Sequence, residues 1–138
     1  MNDTIAALGR LLLSAIFIFA GFGKISDPTG TMHYIAAGGL PYPPGAYVVA
    51  VIVELGGGLA LLLGWQARAV ALALAVFCVV TAAVFHSHFA DHMMLIQFMK
   101  NLAMAGGLLQ VTAYGAGAFS IDGLLNRPRS YRMSGRPA

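Results

Sequence analysis

Four long apolar runs constrain this chain more than any other feature. They cover about 5–23, 46–66, 69–85 and 95–114. Each is close to the roughly 20 residues that an α-helix needs to cross a ~30 Å hydrocarbon core. Inside lipid a segment must satisfy its own backbone, so only helices and closed barrels cross. The strict polar–apolar alternation of a barrel strand is absent. The runs are therefore read as helices. Charged residues make up only 9% of the chain and hydrophobic ones 59%. Soluble domains carry about 25% charged residues, so no water-facing surface can be built here. The expected fold is all-α, an integral membrane four-helix bundle, and the 138 residues form one domain.

The connections set the topology. The long first one, Ser26 to Gly45, contains Asp27-Pro28, which reads as an N-cap followed by proline at the first helical position. A short amphipathic helix over Thr29 to Ala37 is expected on the outer face, ended by Gly38-Gly39 and followed by the prolines at 41, 43 and 44. The second connection, Trp65 to Arg68, is so short that the second and third helices must be antiparallel neighbours. Trp65 fits an interfacial anchor. The first apolar run exceeds the ~7–15 residues of a signal-peptide core, so it is expected to stay as a helix. Arg68 and the tail residues Arg127, Arg129, Arg132 and Arg136 fall on one side of the membrane. That bias places both termini, with the basic tail 115–138, in the cytoplasm, facing membrane lipid. Phe119 to Leu125 is expected to lie along that surface.

Composition also excludes whole classes of function. The single cysteine, Cys78, cannot form a Cys-x-x-Cys redox pair. No folded basic surface is left for nucleic acid. Three histidines, His86, His88 and His92, cluster near the outer end of the third helix, with His33 in the outer connection. Their H-x-H spacing points side chains apart, and no histidine pair lies deep in two helices, so neither a metal site nor a haem is expected.

An ionisable side chain within a span costs several kcal/mol and requires a partner or a function. Glu54 in the second helix and Lys100 in the fourth lie at similar expected depths, roughly 12 and 8 Å at 1.5 Å per residue. A buried Glu54–Lys100 bridge pinning the two helices is the expectation. Gln97, Lys100, Asn101 and Met104 recur at i, i+3, i+4 and i+7, one stripe of the fourth helix. A plain bridge does not need two amides beside it, whereas a polar head group does. On the first helix Arg10, Ser14, Phe17, Gly21 and Lys24 form a packing seam with a charge at each end. Arg10 is expected to snorkel to the cytoplasmic head groups. Lys24 is an interface anchor or part of the outer mouth, and His86 is a candidate partner of the buried cluster. Glycines at 56–58 and 106–107 mark close helix approach.

Taken together, several short motifs resemble the DoxX family. They are Gly9-Arg10-Leu11-Leu12-Leu13, Ala20-Gly21-Phe22-Gly23-Lys24 followed by Asp27-Pro28, Gly39-Leu40-Pro41, Glu54-Leu55-Gly56-Gly57-Gly58, Arg68, Phe85-His86, Gln97-Phe98-Met99-Lys100-Asn101-Leu102 and Phe119-Ser120-Ile121-Asp122. Departures lie in the tail and the His-rich loop. The resemblance implies a bacterial inner-membrane protein linked to quinol or quinone redox systems.

Two functions of different classes follow. One is a quinone- or quinol-binding subunit of a membrane oxidoreductase. In it Glu54 and Lys100 take proton-transfer and ion-pair roles, Gln97, Asn101, Lys24 and His86 bind the ligand, and electrons pass to a partner protein. The other is a non-catalytic scaffold or homo-oligomer whose buried charges only fix helix packing.

Overall fold

The computed structural model describes residues 2–126. The four tail arginines, on which the expected orientation partly rests, lie outside the described residues. Helix α1 runs Asn2–Ser26 and α2 Pro28–Ala37. The second long helix, 43–63, has three parts: α3 (Pro43–Val51), a π-helical turn at Ile52–Gly56, and α4 (Gly57–Leu63). Then follow α5 (Ala67–Phe85), α6 (His92–Tyr114) and the short α7 (Ile121–Leu125). Three helices, Asn2–Ser26, Pro43–Leu63 and Ala67–Phe85, are long and apolar enough to cross a membrane. Helix α6 has the length, at 23 residues, and completes the four-helix bundle. Its polar stripe makes it less apolar than the others.

The buried residues of α1 are Arg10, Ser14, Phe17 and Gly21, the seam read from the sequence. Leu12, Phe19 and Phe22 stand exposed on other faces, where lipid is a suitable neighbour and water is not. Helix α1 packs on the π turn and α4, while α5 packs chiefly on α6. Between these pairs a core forms from Phe17, Leu61, Ala71, Leu74, Cys78, Ala105 and Leu108. Small residues bring the backbones together. A Cβ at Gly58 would sit 3.1 Å from the backbone nitrogen of Ile18. Lipid tails are as apolar as these side chains, so close dispersion contacts, not water exclusion, hold such helices together.

The second helix ends at Leu63, three residues before the expected boundary. Gly64 takes the left-handed conformation (φ +67°). Its N–H bonds Leu61 O at 3.1 Å and the Trp65 N–H bonds Ala60 O at 2.9 Å, a Schellman stop. Gln66 is also left-handed (φ 49°), which costs a non-glycine residue about 1 kcal/mol. The carboxylate of Asp122 offsets that strain. Its Oδ1 accepts from Gln66 N at 2.9 Å and its Oδ2 from Ala67 N at 2.8 Å. A residue some fifty-five positions away thus caps α5 and places a negative charge at the positive end of its dipole.

Arg10 does not snorkel. It is 3% exposed and donates from Nη2 to the Phe119 carbonyl at 2.6 Å. The cause is the fold-back of segment 115–126 over that end of the bundle, pinned by Asp122 and by Asp3, which accepts from Ala118 N at 2.9 Å. The head groups that Arg10 was expected to reach are replaced by the chain's own backbone.

Removing the cap should therefore loosen this end. Asp122→Ala is expected to cost about 1 kcal/mol, the loss of a helix cap whose two donors are one exposed and one part-buried. Gln66→Gly, which relieves the left-handed strain, should be neutral or stabilising by up to ~1 kcal/mol. Thermal unfolding in mild detergent checks both. A Gln66→Gly loss as large as that of Asp122→Ala would contradict the strained-turn account.

Candidate functional site

The half of the bundle away from the N-terminus is organised by a deviation from the α-helix. Glu54 sits at the centre of the π turn. A π turn adds a residue to one helical turn and so rotates the side chains that follow, and it often marks a functional position. Helix α1 meets the chain at this level: a Cβ at Gly21 would lie 3.0 Å from Leu55 Cβ and 3.1 Å from Leu55 N. Any side chain there would press on the Leu55 backbone, which would have to give by a few tenths of an ångström. That approach sets Lys24, one helical turn further along α1, beside Glu54.

Lys24 Nζ donates to Glu54 Oε1 at 3.0 Å and lies 2.7 Å from Oε2. Oε2 is close enough for the ion pair but off the hydrogen-bonding direction, so it has no hydrogen-bond donor. Glu54 is 7% exposed, whereas the Lys24 side chain keeps a quarter of its surface. The lysine therefore approaches the buried carboxylate from the wetter side. Tyr47 reinforces the joint, its hydroxyl donating to Lys24 O at 3.3 Å.

This geometry corrects the expected Glu54–Lys100 bridge. Both residues line one cavity, but α6 packs on α5 and not on the π turn. The carboxylate is taken by Lys24, the charge on the helix that touches the turn. Lys100 faces Glu54 across a cavity.

That cavity has a volume of about 660 Å³. All six residues singled out from the sequence line it: Lys24, Glu54, His86, Gln97, Lys100 and Asn101. The polar stripe of α6 forms one wall, with Asn101 donating from Nδ2 to Gln97 O at 3.0 Å. That bond runs up the helix and leaves the Gln97 amide and the Asn101 carbonyl oxygen without a partner among the described residues. Lys100 has no carboxylate within ion-pair distance there either. His86 caps α5, and its Nδ1 is buried without a hydrogen bond. Burial first, and then the charge of Lys100, holds this imidazole below its ordinary basicity. Most of the remaining lining is apolar, from Ile16, Phe17, Val49, Phe77 and Met104 among others.

Helix α2 roofs the cavity. Asp27 caps it, accepting from Gly30 N at 2.9 Å, and Ile35 is buried beneath. Tyr34 stacks on Phe85 with ring centroids 5.3 Å apart. The sequence contained the signal for α2 in Asp27-Pro28 but none for the Tyr34–Phe85 stack. The π turn was missed too, its only trace a glutamate before three glycines. His33, His88 and His92 are exposed and take no part in the lining. Among the described residues, no group of three His, Cys, Asp or Glu side chains could hold a metal ion.

The ion pair predicts a distinct energetic pattern. Lys24→Met or Glu54→Gln alone should each cost roughly 3 kcal/mol, the low end for breaking a buried pair. The double variant should recover much of that loss, and Lys100→Met should be nearly neutral. Unfolding of the four variants in detergent measures this. A Lys100→Met loss equal to that of Lys24→Met would contradict the pairing.

Comparison with known proteins agrees with this architecture. The DoxX family profile matches residues 5–87, which covers α1 through α5 and includes Lys24 and Glu54 but stops short of the α6 stripe. The chain is 42% identical over 128 residues to inner membrane protein YqjF of Escherichia coli K12, covering 92% of this chain and 96% of the relative. It is 32% identical over 120 residues to inner membrane protein YphA of the same organism, covering 83% and 86%. No solved structure matches it significantly. A membrane bundle built on these motifs, with more than half its length matching the profile, belongs to the DoxX family.

Proposed function

We propose that this protein is a bacterial inner-membrane subunit of a redox system and that its outer cavity binds a quinone or quinol. The inner-membrane location follows its two relatives. The observation that carries the ligand assignment is the set of unspent polar groups on an apolar cavity. Lys100, the Gln97 amide and His86 Nδ1 have no partner among the described residues, yet all border the same space. A purely structural polar cluster in a membrane pairs its members with each other.

The residues fit a quinone on chemical grounds. A volume near 660 Å³ falls within the ~300–1,000 Å³ of small-molecule sites. Lys100 and Gln97 offer donors for ring carbonyls, and the apolar wall suits an isoprenoid tail. A bound quinone supplies two-electron, two-proton chemistry. The chain supplies proton positions at Glu54 Oε2 and His86 Nδ1, neither of which has a hydrogen-bond partner. Lys24 keeps the glutamate oriented. Electrons pass to a partner protein, and both termini face the cytoplasm.

The scaffold reading has one observation in its favour. The Lys24–Glu54 pair joins α1 to the π turn and explains both charges without a ligand. It leaves Lys100 and the α6 amides without a role, and for that reason the ligand reading is preferred.

Purified protein in mild detergent, extracted with organic solvent, should yield near-stoichiometric quinone by mass spectrometry. Lys100→Met and Gln97→Leu should lose most of it while keeping the wild-type melting temperature. Quinone no higher than in an unrelated membrane protein would remove the assignment and leave the scaffold.

A further inference from the structure

The chain has two lysines, and they are used differently. Lys24 is neutralised by Glu54, with Nζ 2.7 Å from Oε2. Lys100 reaches the same cavity with no acid in range. The other four carboxylates are accounted for. Asp3 and Asp122 bind backbone N–H groups at the opposite end of the bundle. Asp91 caps α6 by accepting from Met93 N. Asp27 lies on the exposed rim of the cavity and caps α2. Lys100 shares the lining with Gln97, Asn101, His86 and apolar side chains, and the two carboxylates of that lining, Glu54 and Asp27, are taken by Lys24 and by the N-terminus of α2. The mostly apolar cavity thus carries one cation with no carboxylate in ion-pair range, on the exposed Lys100, and a counter-charge beside apolar walls is worth more than in water.

We propose that the occupant of this cavity is an amphiphile whose polar head carries a single negative charge on oxygen, seated on Lys100. One unmatched cation suits one charge; a phosphate dianion would need a second. The amides of Gln97 and Asn101 flank the head, and the apolar wall takes the body. This inference rests on the proposed quinone site and sharpens it, from neutral ring carbonyls to a ring bearing an ionised hydroxyl. A long-chain carboxylate has the same charge and shape class, so the test must separate the two.

The probes are a 2-hydroxy-3-alkyl-1,4-naphthoquinone, ionised at neutral pH, its uncharged 2-methyl isostere, and dodecanoate. Binding to the detergent-purified full chain is measured for wild type, Lys100→Met and Lys100→Arg. The hydroxy-to-methyl affinity ratio is compared between variants, which cancels unequal partition into the micelle. The ratio should be about tenfold or more higher in wild type than in Lys100→Met, the scale of one charge-assisted hydrogen bond, and Lys100→Arg should restore most of it. Equal ratios in wild type and Lys100→Met would overturn the charge preference while the quinone site stands. Lysine-dependent binding of dodecanoate alone would uphold the charge preference and overturn the quinone. Binding of none of the three would overturn both.

Discussion

The cavity half of the bundle depends on one ion pair set at a break in a helix. Glu54 is nine-tenths buried in a segment that crosses lipid, a placement that is costly without a cation. Lys24 supplies it, and can do so only because Gly21 lets α1 rest directly on the Leu55 backbone. The π turn, the glycine and the lysine therefore act together. The turn presents the acid, the glycine brings the helix, and the lysine closes the contact.

The cavity follows from this joint. With α1 held against the π turn and α6 held against α5, the two pairs meet below, where Phe17, Leu61, Leu74 and Leu108 interlock. They separate above, where polar residues replace the packing. Helix α2 then spans the opening, fixed by its Asp27 cap and the Tyr34–Phe85 stack. The opposite end of the molecule is built in the contrary way. There Asp3 and Asp122 accept from backbone groups of neighbouring segments, and Arg10 donates from Nη2 to the Phe119 carbonyl while its Nε and Nη1 stay unpaired; these side chains tie that end together. Charges close one end of the bundle and line a space at the other.

Much of this was legible in the sequence. Span length, the α2 cap at Asp27-Pro28 and the α1 seam from Arg10 to Gly21 follow from local rules of length, capping and periodicity. The membership of the cavity was also legible, because depth along a helix can be counted from its end, and Glu54, Lys100 and His86 counted to the same half. Neighbour relations were not legible. Depth is set by rise per residue, but which helix touches which is set by packing around the bundle, and that depends on where backbones can approach. Gly21 reads as part of a seam, but no spacing names Leu55 as its neighbour, and without that neighbour nothing assigns Lys24 to Glu54. Arg10 was misplaced for a related reason. Its partner is a backbone carbonyl over a hundred residues away, which no spacing rule can reveal.

The pairing of Glu54 with Lys24, leaving Lys100 free, can be read directly because the chain contains only these two lysines. Wild type and Glu54→Gln would be treated with a water-soluble amine-reactive reagent in mild detergent, and the modification rate at each lysine followed by mass spectrometry. Lys100 should react faster than Lys24 in wild type. Glu54→Gln should accelerate Lys24 severalfold, by freeing its ammonium from the ion pair, and leave Lys100 unchanged. Acceleration at Lys100 with Lys24 unaffected would contradict the account and return the glutamate to the fourth helix.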